Sequence, residues 1–368
     1  MAAGREAGIV RDFERRDVEA VARLFQKTFR GSKKMPATLP GYLEEAFFDH
    51  PWADPEIRSK VHEEAGGKVT GFMGVLPSRL ELSGREIRAA FAGSLMVENG
   101  RENPLAGARL VRSFLAGPQD LSLTETANVT AVGMWQKAGH PLDPGYSMNW
   151  MKVLRPSSTG VQLMERRVAA ARLLRPLGRI ADRAIGLRRG PSFKRPASGK
   201  VVFKDVTPEV FGQALLALKD LYLLRPAWNR DTLGWFLRHA EQKRNLGYPE
   251  WRVGYASDGR PVAAYAYFAA VGQVGWVLQA LAAPKQVDDL LDDLLSHAYD
   301  YGCAAVRGAA HPWLTPGLML RQAVFQARSF YVAAARDKTR LEPIRAGEAL
   351  ISGIAGESWM RLIGDRFD

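Results

Sequence analysis

Residues 128–140 read NVTAVGMWQKAGH. The strand-like run DLSLTET (120–126) leads into them. Asn128 stands where a helix is capped, because a short side-chain oxygen accepts the orphan N–H groups of a first turn. The pair Met134–Trp135 gives the helix an apolar face, and Gly139 supplies a stop. The stretch is one complete strand-to-helix step, and its neighbours repeat the plan. PLAGARLVRSFLAG (104–117) reads as a helix ending in Gly, and EIRAAFAGSLMVE (86–98) as a strand. Upstream, SKVHEEA (59–65) and KVTGFMGVLPSRLELSG (68–84) read as antiparallel strands. GYLEEAFFDH (41–50) is a short helix before Pro51, and GIVRDF (8–13) a short strand. Asp17 is placed to cap VEAVARLFQKTFR (18–30), whose Val18, Val21, Leu24, Phe25 and Phe29 share one face.

The order recurs after residue 200. KVVFKDV (200–206) precedes helices at 208–224 and 230–243, then strands at 251–256, 262–270 and 274–282. A helix KQVDDLLDDLLSHAYDYG (285–302), a strand (304–310), a helix near 316–322 and a last strand QARSFYVAAAR (326–336) complete it. A chain of 368 residues exceeds one ordinary core, and two copies of one α/β (α+β) plan account for it.

The net charge of +12 divides the chain. Residues 155–200 hold twelve Lys or Arg against Glu165 and Asp182, so the rest is near neutral. Pro, Ser and Gly bound this segment at both ends, as in linkers. The expected organisation is a domain at 1–154, a basic linker at 155–199 and a second domain at 200–368. The middle of the linker, 161–189, is amphipathic, and Pro176 should kink it. It suits an anionic surface: a membrane, a lipid-linked phosphorylated sugar or nucleic acid. It equally suits a solvated helix between domains.

Composition excludes other classes. With Cys303 alone, no disulfide framework can form within the chain, which fits a reducing compartment such as the cytoplasm. The six histidines show no metal-ligand spacing, so no metal is expected. MAAGREAGIVRDFERRD at the start lacks the apolar core of a signal peptide. Residues 261–284 carry no charge and have the length of a membrane span. The turn-like GQVG at 272–275, between runs rich in β-formers, favours two buried strands joined by a hairpin.

The first half resembles the GNAT acyltransferase superfamily. Its members end a strand in Arg/Gln-x-x-Gly-x-Gly/Ala and open a helix. RENPLAGARL (101–110) matches with Arg101 first and Ala106 last, and departs at Pro104. The next strand in the family leads into Asn-x-x-Ala-x-x-Leu-Tyr-x-x-x-Gly-Phe. Asn128, Ala131, Met134, Trp135, Gly139 and His140 fall at those spacings. The resemblance implies two GNAT-like domains, each a mixed, mostly antiparallel central sheet flanked by helices. It implies acetyl-CoA or another acyl-CoA as cosubstrate and an amine acceptor. Arg101 and the helix start at Leu105, Ala106, Gly107 and Ala108 would hold the pyrophosphate. Asn128 would bind the pantetheine arm between two splayed strands. Backbone N–H groups near Leu95, Met96 and Val97 would meet the thioester oxygen. Trp135 takes the place of a Tyr that often protonates the leaving thiolate, and an indole N–H cannot do so at neutral pH.

The base that deprotonates the amine is expected to be Glu98 or Glu125, each closing a strand toward the cleft. The second half keeps the order without the loop: APKQVDDLLDD (283–293) has no Gly, and its acids would repel pyrophosphate. It reads as an acceptor-binding or packing half. LYLLRPAWNRDTLGWFLRH (221–239), with Arg225, Trp228, Arg230 and Trp235, could line an acceptor groove or turn its aromatics inward. The favoured function is acyl transfer from acyl-CoA to a small-molecule, protein or glycan amine, such as an envelope precursor, in the cytoplasm or at the inner membrane face. The alternatives are a Fem-like transferase using charged tRNA, which would contact nucleic acid, and a non-catalytic ligand-binding protein. Residues 337–368 receive no role.

Overall fold

The computed structural model describes residues 8–367 apart from 33, 101–102, 166–167, 190–200 and 328. The first half carries β1 (Ile9–Asp12), β2 (Lys60–Glu63), β3 (Val69–Leu82), β4 (Arg85–Val97), β5 (Leu121–Ala127), β6 (Leu142–Asp143) and β7 (Asn149–Val153). Its helices are α1 (Val18–Phe25), α2 (Leu39–Phe47), α3 (Pro104–Leu115) and α4 (Val129–Lys137). Then come α5 (Pro156–Glu165) and α6 (Arg175–Arg189). The second half holds β8 (Val201–Asp205), β9 (Leu224–Pro226), β10 (Tyr248–Ala256), β11 (Pro261–Ala269), β12 (Val274–Ala282), β13 (Ala305–Ala309), β14 (Val324–Gln326) and β15 (Phe330–Ala335). Its longer helices are α7 (Pro208–Leu218), α8 (Arg230–Glu241) and α9 (Val287–Tyr301).

Two mixed, mostly antiparallel sheets result. The first runs β1-β2-β3-β4-β5-β15-β6, with β9 on β3, and the second runs β14-β7-β13-β12-β11-β10-β8. The parallel pairs are β4–β5 and β12–β13, at matching places in the two sheets. The halves exchange strands. β7 lies between β13 and β14, and β15 lies between β5 and β6. The boundaries expected at 154 and 200 therefore follow chain order but not sheet membership. The cause is that a short alternating strand fits either of two similar sheet edges equally well, and only long-range packing chooses.

One core spans both sheets. Phe13, Phe72 and Phe91 of the first half join Phe211, Trp251 and Phe268 of the second, and Ile351, Ile354, Trp359 and Phe367 of the C-terminal segment join both. The segment left without a role in the sequence is thus the wedge between the halves. The stretch at 221–239 takes the inward alternative. Trp228 is buried, Trp235 packs 3.9 Å from His239 and 5.1 Å from Trp359, and Arg225 pairs with Glu81.

Three local expectations change. Asp17 accepts from the Glu14 N–H and pairs with Arg11, and gives α1 no side-chain cap. The uncharged stretch is the antiparallel hairpin β11–β12, and among the described residues no helix is long and apolar enough to cross a membrane. The basic segment forms two helices rather than one kinked helix. Pro176 lies in the first turn of α6, where its missing N–H costs nothing. The Asp182 carboxylate accepts the N–H groups of Ser157 and Ser158, each at 2.8 Å, so α6 folds back on α5.

Candidate active site

β4 and β5 pair only from Ala89↔Leu121 to Phe91↔Leu123, and beyond that they part. Backbone groups along the gap lose their ladder partners there and must find others. On its far side β4 meets β3 through Gly74↔Gly93 and Phe72↔Met96, which leaves Ser94 and Leu95 opposite Met73 alone. This is a β-bulge, and Ser94 adopts φ 51°, a left-handed geometry unusual for a residue with a side chain. Helix α1 continues as a widened turn, Gln26–Arg30, over the same gap.

A cavity of about 200 Å³ opens there, walled by Ser94 and Leu95 of the bulge, Phe25 and Phe29 of the turn, and Asn128 and Trp135 of the opening motif. The structure brings together three residues expected from the sequence: Leu95, Asn128 and Trp135. Trp135 is buried against Phe114 at 5.9 Å, so it serves as wall. Asn128 Oδ1 caps α4 by accepting the Ala131 N–H at 2.9 Å. Met96 is buried and pairs with Phe72, while Val97 pairs with Gly71 at the rim of the bulge.

The pyrophosphate loop is less complete. Arg101 lies outside the described residues. Pro104 begins α3, Leu105 and Ala108 are exposed, and Ala106 is buried. Gly107 permits close packing of α3 on α4, because a Cβ there would come within 2.8 Å of the Met134 methyl.

Both expected bases have hydrogen-bond partners of their own, and Glu125 also lines the cavity beside the second sheet. Glu98 accepts from Lys27 and Lys68 at 2.8 and 2.7 Å, in a separate groove shared with Arg11 and Arg23. Those hydrogen bonds hold its carboxyl below the usual range. Glu125 turns away from the gap. Its carboxylate accepts the N–H groups of Gly353 and Glu357 at 2.9 and 2.7 Å and the Ser358 hydroxyl at 2.8 Å. A carboxylate so engaged is a clamp on the C-terminal segment.

The carboxylate in the gap is Glu357. Its Oε1 accepts the N–H groups of Glu125 and Thr126 at 3.0 and 2.8 Å and the Thr126 hydroxyl at 2.8 Å. It thereby takes up β5 donors that β4 no longer reaches. Its Oε2 points at β4, where a Cβ on Gly93 would lie 2.1 Å from it, so a side chain at 93 would force the carboxylate to move. Burial, and then the nearby charge of Glu125, push the Glu357 carboxyl up to about 7. From the other side Lys243, wholly buried, donates to the Ser358 carbonyl, and burial lowers its ammonium to about 7. No sequence pattern pointed to Glu357 or Lys243. The one clue is a lone acid in the small, apolar run GIAGESWM (353–360).

The second sheet parts in the same way. β12 and β13 pair from Val274↔Ala305 to Trp276↔Arg307 and then diverge. Here the chain fills its own gap: the Ile354 N–H donates to Gln279 Oε1 at 2.8 Å, and a Cβ on Gly353 would lie 2.4 Å from the Leu278 carbonyl. The N-terminus of α9 is covered as well, since Arg321 pairs with Asp288 and Asp292. A cavity of about 150 Å³ remains beside this gap, lined by His311, Ser352, Tyr146 and Trp276 among others. It shares Thr126 and Ile363 with the cavity of the first sheet, so the two spaces adjoin on either side of Glu357's hydrogen bonds.

No family model and no curated protein matches the sequence. Solved structures do. A GCN5-related N-acetyltransferase from Anabaena variabilis superposes with a TM-score of 0.59 at 11% identity, over 89% of this chain and 72% of that one. A conserved Enterococcus faecalis protein whose suggested activity is N-acyl transfer gives 0.57 at 12% identity, with the same coverage. Saccharomyces cerevisiae N-myristoyltransferase with bound myristoyl-CoA gives 0.50 at 11% identity, over 90% of this chain and 79% of that one. Likeness at such low identity speaks for architecture alone, and with the two parted parallel pairs it establishes that this chain has a tandem GNAT-like fold.

Proposed function

We propose that the chain is an acyl-CoA-dependent N-acyltransferase with one working cleft, between β4 and β5. The observation that carries this reading is the parted β4–β5 pair, whose gap opens onto a cavity walled by Leu95, Asn128 and Trp135 and whose Thr126 N–H and hydroxyl are held by the buried Glu357 carboxylate. Burial pushes that carboxyl up to about 7. A general base works best when its pKa lies near the operating pH. The residues fit an acyl thioester. The bulge at Ser94–Leu95 interrupts the β3–β4 register beside the cavity that both residues line, a place from which backbone N–H groups would stabilise a developing oxyanion. About 200 Å³ is below the roughly 300–1,000 Å³ of sites that enclose a whole ligand. It suits the thioester end with a short acyl chain, leaving the nucleotide at the start of α3. The yeast relative in fold holds myristoyl-CoA, which supports an acyl-CoA donor without fixing the chain length.

In this scheme the acceptor amine enters from the adjoining cavity between the sheets. Glu357 takes the proton that the amine loses as its C–N bond forms. The C–S bond breaks, and the thiolate recovers a proton from water, since Trp135 has none to give. Glu125 holds the segment that carries Glu357 and so positions the base.

The test is an acyl-transfer assay with acetyl-CoA and longer acyl-CoAs against a panel of amines, amino sugars included. Thiol release that depends on the amine and is lost in Glu357→Gln supports the proposal. Absence of release with every donor, alongside transfer from an aminoacyl-tRNA, would assign the chain to the Fem-like alternative.

A further inference from the structure

We propose that the helical hairpin α5–α6 is a docking surface for an anionic lipid bilayer. An amphipathic helix on a globular protein turns its large apolar residues to the core and its charges to water. Here the sense is reversed. The small and polar residues Gly178 and Asp182 are buried against α5, where a Cβ on Gly178 would lie 3.2 Å from Val161 and Asp182 accepts the Ser157 and Ser158 N–H groups. Toward solvent it presents Leu173, Leu177 and Ile180, which are 75%, 63% and 65% exposed. Met164, Val168 and Leu174 extend the same apolar area at 53%, 57% and 40% exposure. Among the described residues, six of the nineteen exposed large apolar side chains fall in this one hairpin, a clustering that scattered surface residues do not show.

Charge identifies the occupant. Arg172 and Arg179 are exposed and each adjoins a stripe residue, and the exposed Arg183 follows three positions after Ile180, so aliphatic and cationic side chains lie side by side. That is the composition of a helix lying in a membrane interface, its apolar row sunk roughly 5–10 Å and its cations at anionic headgroups. A nucleic acid would meet the same cations. Yet base stacking calls for aromatic side chains, and residues 155–189 contain no Phe, Tyr or Trp. Aliphatic exposure of this size has no use on a polyanion and a direct use in a bilayer.

The hairpin is firmly seated, so docking would orient the whole protein. Arg155 and Thr159 donate to the carbonyls of Cys303 and Ala304 at 2.9 Å each, ahead of β13. The Arg179 guanidinium lies beside Gly272 in the β11–β12 turn, where Val271 adds another exposed apolar side chain at 54%. The contact lies at the start of β12 and β13. The cavity between the sheets is lined from their later residues, Val277–Ala280 and Ala309. A docked molecule would keep that cavity clear of the lipid.

The experiment is co-sedimentation of the full chain with vesicles of phosphatidylcholine alone or mixed with phosphatidylserine, across a salt series. The expected result is a pellet with the mixed vesicles at low salt and none with phosphatidylcholine alone. Two folded variants separate the contributions. Leu173→Gln/Leu177→Gln/Ile180→Gln should abolish binding at every salt concentration. Arg172→Gln/Arg179→Gln/Arg183→Gln should weaken it about fivefold per arginine. The aliphatic variant should melt with the parent, since its three side chains are exposed; the arginine variant is compared with the parent below its own melting temperature, because Arg179 also lies against the β11–β12 turn. A protein that stays in the supernatant with both vesicles overturns the proposal. So does binding that the aliphatic variant retains in full. Retention on RNA without retention on vesicles overturns it in favour of a nucleic-acid surface.

Discussion

Glu125 and Glu357 each place a carboxylate oxygen on the other's backbone N–H, at 2.7 and 3.0 Å. Two acids so close repel, and burial raises the pKa of both. The arrangement holds because each carboxylate also collects further donors, from Gly353 and Ser358 on one side and Thr126 on the other. The pair ties the C-terminal segment to β5 and leaves one carboxylate in the strand gap.

Glu125→Ala should destabilise the fold. It orphans two N–H groups and a hydroxyl at roughly 1–3 kcal/mol each, partly offset by removing a repelling charge. A net loss of about 2–4 kcal/mol is expected by chemical denaturation. A change within about 0.5 kcal/mol, as at an ordinary surface site, would show that the clamp does not hold the segment.

Glu357→Gln should change stability and activity in pH-dependent ways. The folded carboxyl titrates near 7 against an ordinary 4.5, so the folded state binds the extra proton between those values. Its contribution to stability is complete below 4.5 and is lost as pH rises through about 7. The variant should match the parent in acid and exceed it above 7, by about 3 kcal/mol. Acyl transfer should rise with pH through the same region in the parent, and the variant should lack that limb while still binding acyl-CoA. A flat difference in stability across pH would place the proton elsewhere.

Gly93→Ala inserts a Cβ 2.1 Å from Glu357 Oε2, so the carboxylate must leave the gap. The turnover rate should fall by about two orders of magnitude, within the usual 10²–10⁴-fold contribution of a base, with KM for acyl-CoA little changed. An unchanged rate in a folded Gly93→Ala protein would exclude Glu357 as the base.

Asn128 and Arg101 test the donor side. Asn128→Asp keeps the Oδ1 that caps α4 and removes the amide nitrogen. It should leave the melting temperature intact and weaken acyl-CoA binding, whereas Asn128→Ala should also cost about 1 kcal/mol of stability. Arg101→Ala should weaken binding about ten- to a hundredfold if its guanidinium meets the pyrophosphate. Titration calorimetry with acyl-CoA reads the binding of the three proteins, and thermal melts read their stability.

Local chemistry made single turns and caps legible in both halves. Asn128 caps α4, Pro104 opens α3, and the GQVG turn separates β11 from β12, each as its residue types require. What the sequence did not disclose depends on distance along the chain. Tyr331 and Val332 look like any strand of the second half, yet they pair in the first sheet, across more than 180 residues from β6. Glu357 lies over 230 residues from the N–H groups it accepts, so no spacing rule could find it. Glu125 was recognised as a strand-end acid, but which way it turned was decided by the C-terminal segment folding onto it.

Whether the β4–β5 gap holds the donor is read by calorimetric titration of the whole chain with acetyl-CoA and longer acyl-CoAs. One site per chain is expected, in the micromolar range or tighter, weakened by Arg101→Ala and retained in Glu357→Gln. No heat with any acyl-CoA, from protein that melts cooperatively, would contradict it.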